Sequence, residues 1–155
     1  MATYEKAIDI LNDLILINND RAEGYEKALD ELKELELDLH TLFQNFITNS
    51  TRHVSELSDA VLELGGTPAE GTTNAGKIYR TWMDVKTAFT GKDRLAVLSS
   101  CEYGEDAAQK AYKAALDEQY ELPSNIRQTI VEQQADLKKS HDTVKDLRDT
   151  EKVLQ

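Results

Sequence analysis

Four side chains have the type and spacing to gather a metal ion: Glu26, His53, Glu105 and His141. Carboxylate oxygens and imidazole nitrogens on facing helices are the donors that iron and other divalent ions take. Glu105 is the most pointed of the four. At 100° per residue, Leu98, Cys101, Glu105, Ala108, Tyr112 and Ala115 fall on one stripe of a helix, so a carboxylate stands in an otherwise core-like row. An unpaired buried carboxylate costs several kcal/mol or ionises poorly, so a cation, a metal or a set of donors must answer it. His141 is the expected partner. Both residues lie 18 positions from Pro123 (123 − 105 and 141 − 123), about 25 Å along each arm of a helical hairpin, which puts them in one layer. Lys138 is a second cation able to reach Glu105 or Glu102.

The elements that would carry these residues are helices. Tyr4, Ile8, Leu11, Ile15, Asn18, Ala22, Tyr25, Leu29 and Leu32 alternate by four and three, the seam of a bundle helix over about 3–35, with Asp20 and Glu23 pointing away. Leu39, Phe43, Phe46, Ser50, His53, Leu57, Val61 and Leu64 do the same in a second helix, which Asp38 can cap and Gly65, Gly66 and Pro68 end. A crossover over 65–91 follows. Its turn-rich start leads to a shorter helix at about 74–89 with Ile78, Trp82, Val85 and Phe89 on its apolar face. The third long helix follows Gly91, with Thr90 and Asp93 as a capping pair, and runs to about 121. Pro123 opens the last, whose expected seam is Ile130, Gln134, Leu137, His141 and Val144. The sequence therefore predicts an all-α single domain over 1–155, a four-helix bundle with a fifth, shorter helix in a long crossover. Such a connection makes the two middle long helices parallel, as in ferritin-like bundles.

Composition narrows the function classes. A formal charge of −11 argues against nucleic acid as a partner, because phosphates demand a basic face. No run approaches the ~20 apolar residues of a membrane span. The N-terminal MATYEKAIDI carries charges where a secretion signal would be apolar, and the single cysteine, Cys101, fits a reducing compartment. A cytoplasmic protein is expected. Cys101 has no cationic neighbour to activate it, and no phosphate-cradling glycine loop or Ser-His-Asp spacing is present in the sequence.

A full ferritin-like di-iron centre takes one Glu from each of two helices and a Glu-x-x-His from each of the other two. Here Ser50 precedes His53 and Lys138 precedes His141 at the positions of the bridging glutamates, so the ligand set is incomplete. The segments LNDLI, GYEKALDE, LGGTP, RTWMDVKTAFTG, VLSSCEYGEDAAQKAYKAAL and HDTVKDLRD, in that order, resemble an uncharacterised bacterial family of ferritin-like four-helix-bundle proteins, domain of unknown function 2383. The resemblance implies the ferritin-like fold, a bacterial cytoplasmic setting and a link to stress, and it brings no established activity; His53 is not among the family's fixed features.

The leading expectation is a stress-related bundle with a polar core and no catalytic activity. The alternatives are metal binding or iron oxidation at Glu105, His141, His53 and Glu26, and a partner-binding or self-associating module that uses the crossover helix and Trp82. Iron or another divalent metal is the only cofactor the residues suggest; a homo-oligomer is the association expected, and the residues name no physiological partner.

Overall fold

The computed structural model describes residues 4–32, 36–72 and 93–154. Among them the chain forms four helices and no strand: α1 (Glu5–Glu31), α2 (Leu37–Glu63), α3 (Arg94–Asp117) and α4 (Ser124–Leu154). The expected crossover helix at 74–89, with Trp82 on its apolar face, lies outside the described residues.

α1 and α2 form one hairpin and α3 and α4 another; α1 also packs on α3, and α2 touches α4 least. α2 ends where the sequence predicts. Gly65 takes a left-handed φ of 87°, and the Gly66 amide donates to the Val61 carbonyl at 2.9 Å, so orphan carbonyls of the last turn are used. Gly66 is also a packing requirement, because a Cβ there would lie 2.8 Å from Ile8 Cγ2 on α1. The chain then runs back along α1. Asn12 Nδ2 donates to the Thr67 carbonyl, Asn12 Oδ1 accepts from the Ala69 amide, and Asn19 Nδ2 donates to the Gly71 carbonyl.

α3 begins at the opposite end, next to the start of α2: Arg94 donates to Asp38 at 2.7 and 3.0 Å and to Glu36 at 2.6 Å. Two helices that start side by side run parallel, as expected for a long crossover. This contact also corrects the reading of Asp38, which binds Arg94 from the first turn of α2 instead of capping it; the cap position is Glu36, with no side-chain cap bond. Asp93 does cap α3, its side chain accepting from the Ala96 amide at 2.8 Å. α3 stops at Asp117, short of the expected 121, where Tyr120 folds back and donates its hydroxyl to the Ala115 carbonyl at 2.9 Å.

The apolar interior falls into two parts. One contains Leu11, Leu14, Ile15, Leu57, Val61, Tyr112, Ile126, Ile130 and Leu137; the other contains Tyr25, Leu39, Phe43, Phe46, Leu98, Cys101 and Val144. Polar side chains from all four helices lie between them.

Two helices bury more or other residues than one 4–3 stripe predicts. α1 adds the row Ala7, Leu14, Arg21 and Ala28 to its seam, because it packs on both α2 and α3. Asp20, expected to point away, is fully buried. On α4 the seam is Ile126, Ile130, Gln133, Leu137, Ser140 and Val144, so Gln133 and Ser140 take the places expected for Gln134 and His141.

Candidate functional site

Glu105 is buried, as its stripe requires, and the group that answers it is Arg21. The guanidinium grips the carboxylate with both arms, Nε to Oε1 at 2.5 Å and Nη2 to Oε2 at 3.2 Å. Its remaining nitrogen, Nη1, donates to the Phe46 carbonyl at 3.0 Å and to Ser50 Oγ at 2.7 Å. The Tyr25 and Phe46 rings flank it at 5.2 and 5.3 Å, adding cation–π contact. Both charges are therefore desolvated, paired in the fork geometry and bonded further, which is the condition under which a buried ion pair holds. Although burial by itself lowers the Arg21 pKa, Glu105 raises it above its ordinary value, so the guanidinium stays charged. Burial first, and then the Glu105 charge, push the Tyr25 hydroxyl and the Cys101 thiol well above their ordinary range, so neither is an ionised nucleophile.

One helical turn along, a second polar layer joins the same helices. Asn18 Nδ2 donates to the Leu14 carbonyl at 2.9 Å and to the Tyr112 hydroxyl at 2.8 Å. Tyr112 donates onward to Gln133 Oε1 at 2.7 Å, and Gln133 Nε2 donates to Glu56 at 2.9 Å and to the His53 carbonyl at 3.3 Å. The His53 ring is fully buried, with Nδ1 3.1 Å from Asn18 Oδ1 and Nε2 3.4 Å from Asp136 Oδ2. Its pKa is pushed down to about 4, mainly by burial, with Arg21 and Arg52 adding to it and Asp136 opposing.

His141 sits outside these layers, on the flank of the α3–α4 hairpin. Its Nε2 lies 2.6 Å from Asp106 and 4.0 Å from Glu102, and its Nδ1 lies 3.1 Å from Asp142. Burial lowers its pKa, but Asp142, Asp106 and Glu102 outweigh that and raise it. Glu102 also accepts from Arg148 Nη1 at 2.7 Å. Glu102, Asp106 and His141 are the one group of three metal-type donors among the described residues within 4.8 Å of one another. At 2.6 Å, however, the His141–Asp106 contact has the length of a charge-assisted hydrogen bond, and Arg148 already neutralises Glu102.

The four residues expected to share a metal are thus dispersed. Glu105 belongs to Arg21, His53 to the second layer and His141 to the outer flank, while Glu26 is exposed on α1. Glu105 does not depend on His141 or Lys138 for its countercharge, and Lys138 pairs with Asp142 in solvent at 2.8 Å. A di-iron centre does not fit this interior, because a guanidinium occupies both oxygens of Glu105 and Ser50 stands where a bridging carboxylate would be needed. The residues missed from the sequence are Arg21, Tyr112, Gln133 and Asp136. Arg21 lies in heptad step with Ala7, Leu14 and Ala28, and that second row was the available signal.

No helix among the described residues is long and apolar enough to cross a membrane. No curated protein matches the sequence. A solved structure of a point mutant of Dps1 from Mycobacterium smegmatis superposes with a TM-score of 0.79 over 93% of this chain and 95% of that one, at 16% identity, a likeness of fold alone. Residues 6–118 match the family described as Domain of unknown function (DUF2383). With that match across the first three helices and a ferritin-like neighbour for the whole bundle, the chain belongs to the DUF2383 family, an uncharacterised family of ferritin-like proteins.

Proposed function

We propose that the protein works through its surface, as a structural or interaction protein of bacterial stress physiology in the cytoplasm, and performs no redox chemistry at Glu105. The observation that supports this reading is the Arg21–Glu105 pair. A fully bonded guanidinium takes the place that a metal would need, and the same carboxylate cannot serve both without leaving a buried arginine unpaired. The exposed apolar side chains Leu37, Leu62 and Tyr103 offer contact area to a second copy, in line with a homo-oligomer. Nucleic acid is not the partner of a chain with a formal charge of −11.

The test is ferrous-iron oxidation followed optically under air, with light scattering for the assembly state. The expected outcome is oxidation no faster than in buffer, unchanged in Glu105→Ala and His141→Ala. A parent that oxidises iron faster than buffer, with the excess lost in either variant, would overturn the reading.

A further inference from the structure

The outer side of α2 carries a row of side chains that the bundle does not use. It starts at Leu37, steps by four and three through hydroxyl and amide side chains, and ends at Leu62. The buried residues of α2, such as Phe43, Phe46, His53 and Leu57, lie on the other side of the helix. The two leucines that end the row are 71% and 61% exposed. No position in it is charged, although 30% of the chain is and the formal charge is −11. Two such chains repel each other, and an uncharged face is where a second copy approaches at least cost.

The order of residues along the row is its own complement. About a point between Asn49 and Ser50, Leu37 lies as far to one side as Leu62 to the other, and Thr41 as far as Ser58. Gln44 and Ser55 are the next pair, and Thr48 and Thr51 the innermost. In an antiparallel helix pair about a two-fold axis, each residue meets its mirror position on the partner, and the reverse contact repeats it. Leucine then meets leucine at both ends, the Gln44 amide meets a serine hydroxyl, and threonines meet across the axis. A 4–3 row is also the spacing that a second helix follows at a crossing of about 20°.

The central members can be covered without stranding a donor. Thr48 Oγ1 donates to the Gln44 carbonyl and Thr51 Oγ1 to the Ile47 carbonyl, each at 3.1 Å, so both hydroxyls are satisfied within the helix. Partly buried Ile47 and Val54 border the row and add apolar area. Asp38, beside Leu37, is already neutralised by Arg94.

We propose that α2 docks against α2 of a second copy, antiparallel, about a two-fold axis that passes between Thr48 and Thr51. The proposal rests on the reading that this protein works through its surface, and it names the surface. The row is about 37 Å long (62 − 37 steps of 1.5 Å) and one helix wide. That is the small end of specific interfaces, so the dimer is reversible and concentration-dependent.

The experiment is sedimentation velocity over a concentration series of the 17.5 kDa chain, joined to oxidative cross-linking. The parent is expected to pass from monomer to dimer as concentration rises. Thr48→Glu with Thr51→Glu brings four like charges to the axis and is expected to weaken the dimer at least about tenfold, with helicity unchanged. Thr48→Glu with Thr51→Lys, whose charges are complementary across the axis, is expected to restore it. Both positions are exposed, so these variants keep the fold. Thr41→Cys mixed with Ser58→Cys is expected to cross-link faster than either alone, because equal positions lie about 25 Å apart along the pair (58 − 41 steps of 1.5 Å). The native Cys101 is buried and stays out of the reaction. A parent that remains monomeric, a dimer indifferent to the two glutamates, or a cross-link no faster in the mixture overturns the proposal. None of these readouts involves iron, so failure of the dimer and failure of the preceding reading show separately.

Discussion

The layer built on Arg21 and Glu105 and the layer built on His53 and Asp136 lie one turn apart on the same helices, and they treat buried polarity in different ways. In the first, a five-donor cation meets a carboxylate, a carbonyl and a hydroxyl, and the layer is closed by its own residues. In the second, a hydrogen-bond chain runs from the buried His53 through Asn18 and Tyr112 to Gln133 and the exposed Glu56. A closed charge pair gives the bundle a fixed register. An open chain carries polarity from the buried layer out to a surface carboxylate, Glu56.

The contrast breaks most sharply at the ion pair. Glu105→Ala or Arg21→Ala alone strands a buried charge and is expected to cost about 3–5 kcal/mol in urea unfolding. Replacing both, Arg21→Met with Glu105→Leu, is expected to return stability to within about 1 kcal/mol of the parent or above it. A double variant as unstable as the singles would mean that the surrounding donors, Ser50 and the Phe46 carbonyl, depend on the guanidinium more than the carboxylate does.

Protonation separates the second layer from the outer flank by sign. His53, with a pKa near 4 in the fold and 6.5 in the unfolded chain, binds fewer protons when folded, so stability falls as pH drops from 6.5 towards 4, by up to about 3 kcal/mol. His141 has a raised pKa, so its contribution is fully present below pH 6.5 and is lost as pH rises through the folded value. Unfolding free energies measured across pH 4–8 in chelator, for the parent, His53→Gln and His141→Gln, check both. The acid slope is expected to flatten in the first variant and the loss on the alkaline side to vanish in the second.

The smallest effect belongs to the relay. Tyr112→Phe removes the donor to Gln133 Oε1 and the acceptor for Asn18 Nδ2, which keeps its bond to Leu14. A loss of about 1–2 kcal/mol with unchanged helicity is expected by chemical denaturation. A neutral result would mean that water replaces the hydroxyl and that the second layer is wetter than the first.

Much of this molecule is legible in the residues. The 4–3 spacing on the first two long helices, the stop at Gly65 and the Asp93 cap depend on local geometry, and local geometry is written in the chain. So does the inward placing of Asn18, Ser50, His53 and Glu105. On α4 the rows through Gln133 and Ser140 and through Gln134 and His141 both satisfy the 4–3 rule. Only the position of Tyr112 across the bundle, with a hydroxyl that needs Gln133, decides between them.

By itself the sequence determined that a carboxylate would be buried at position 105 and that a cation, a metal or a set of donors had to meet it, because apolar periodicity and the cost of burying charge are both local statements. Tertiary structure decided that the cation is Arg21. α1 packs against two neighbours and so buries a wider face than one stripe, which turned a residue between seams into the centre of the core. The same packing left His141 on the flank and enclosed His53 between Asn18 and Asp136, because which helices lie closest is settled between elements and not within them.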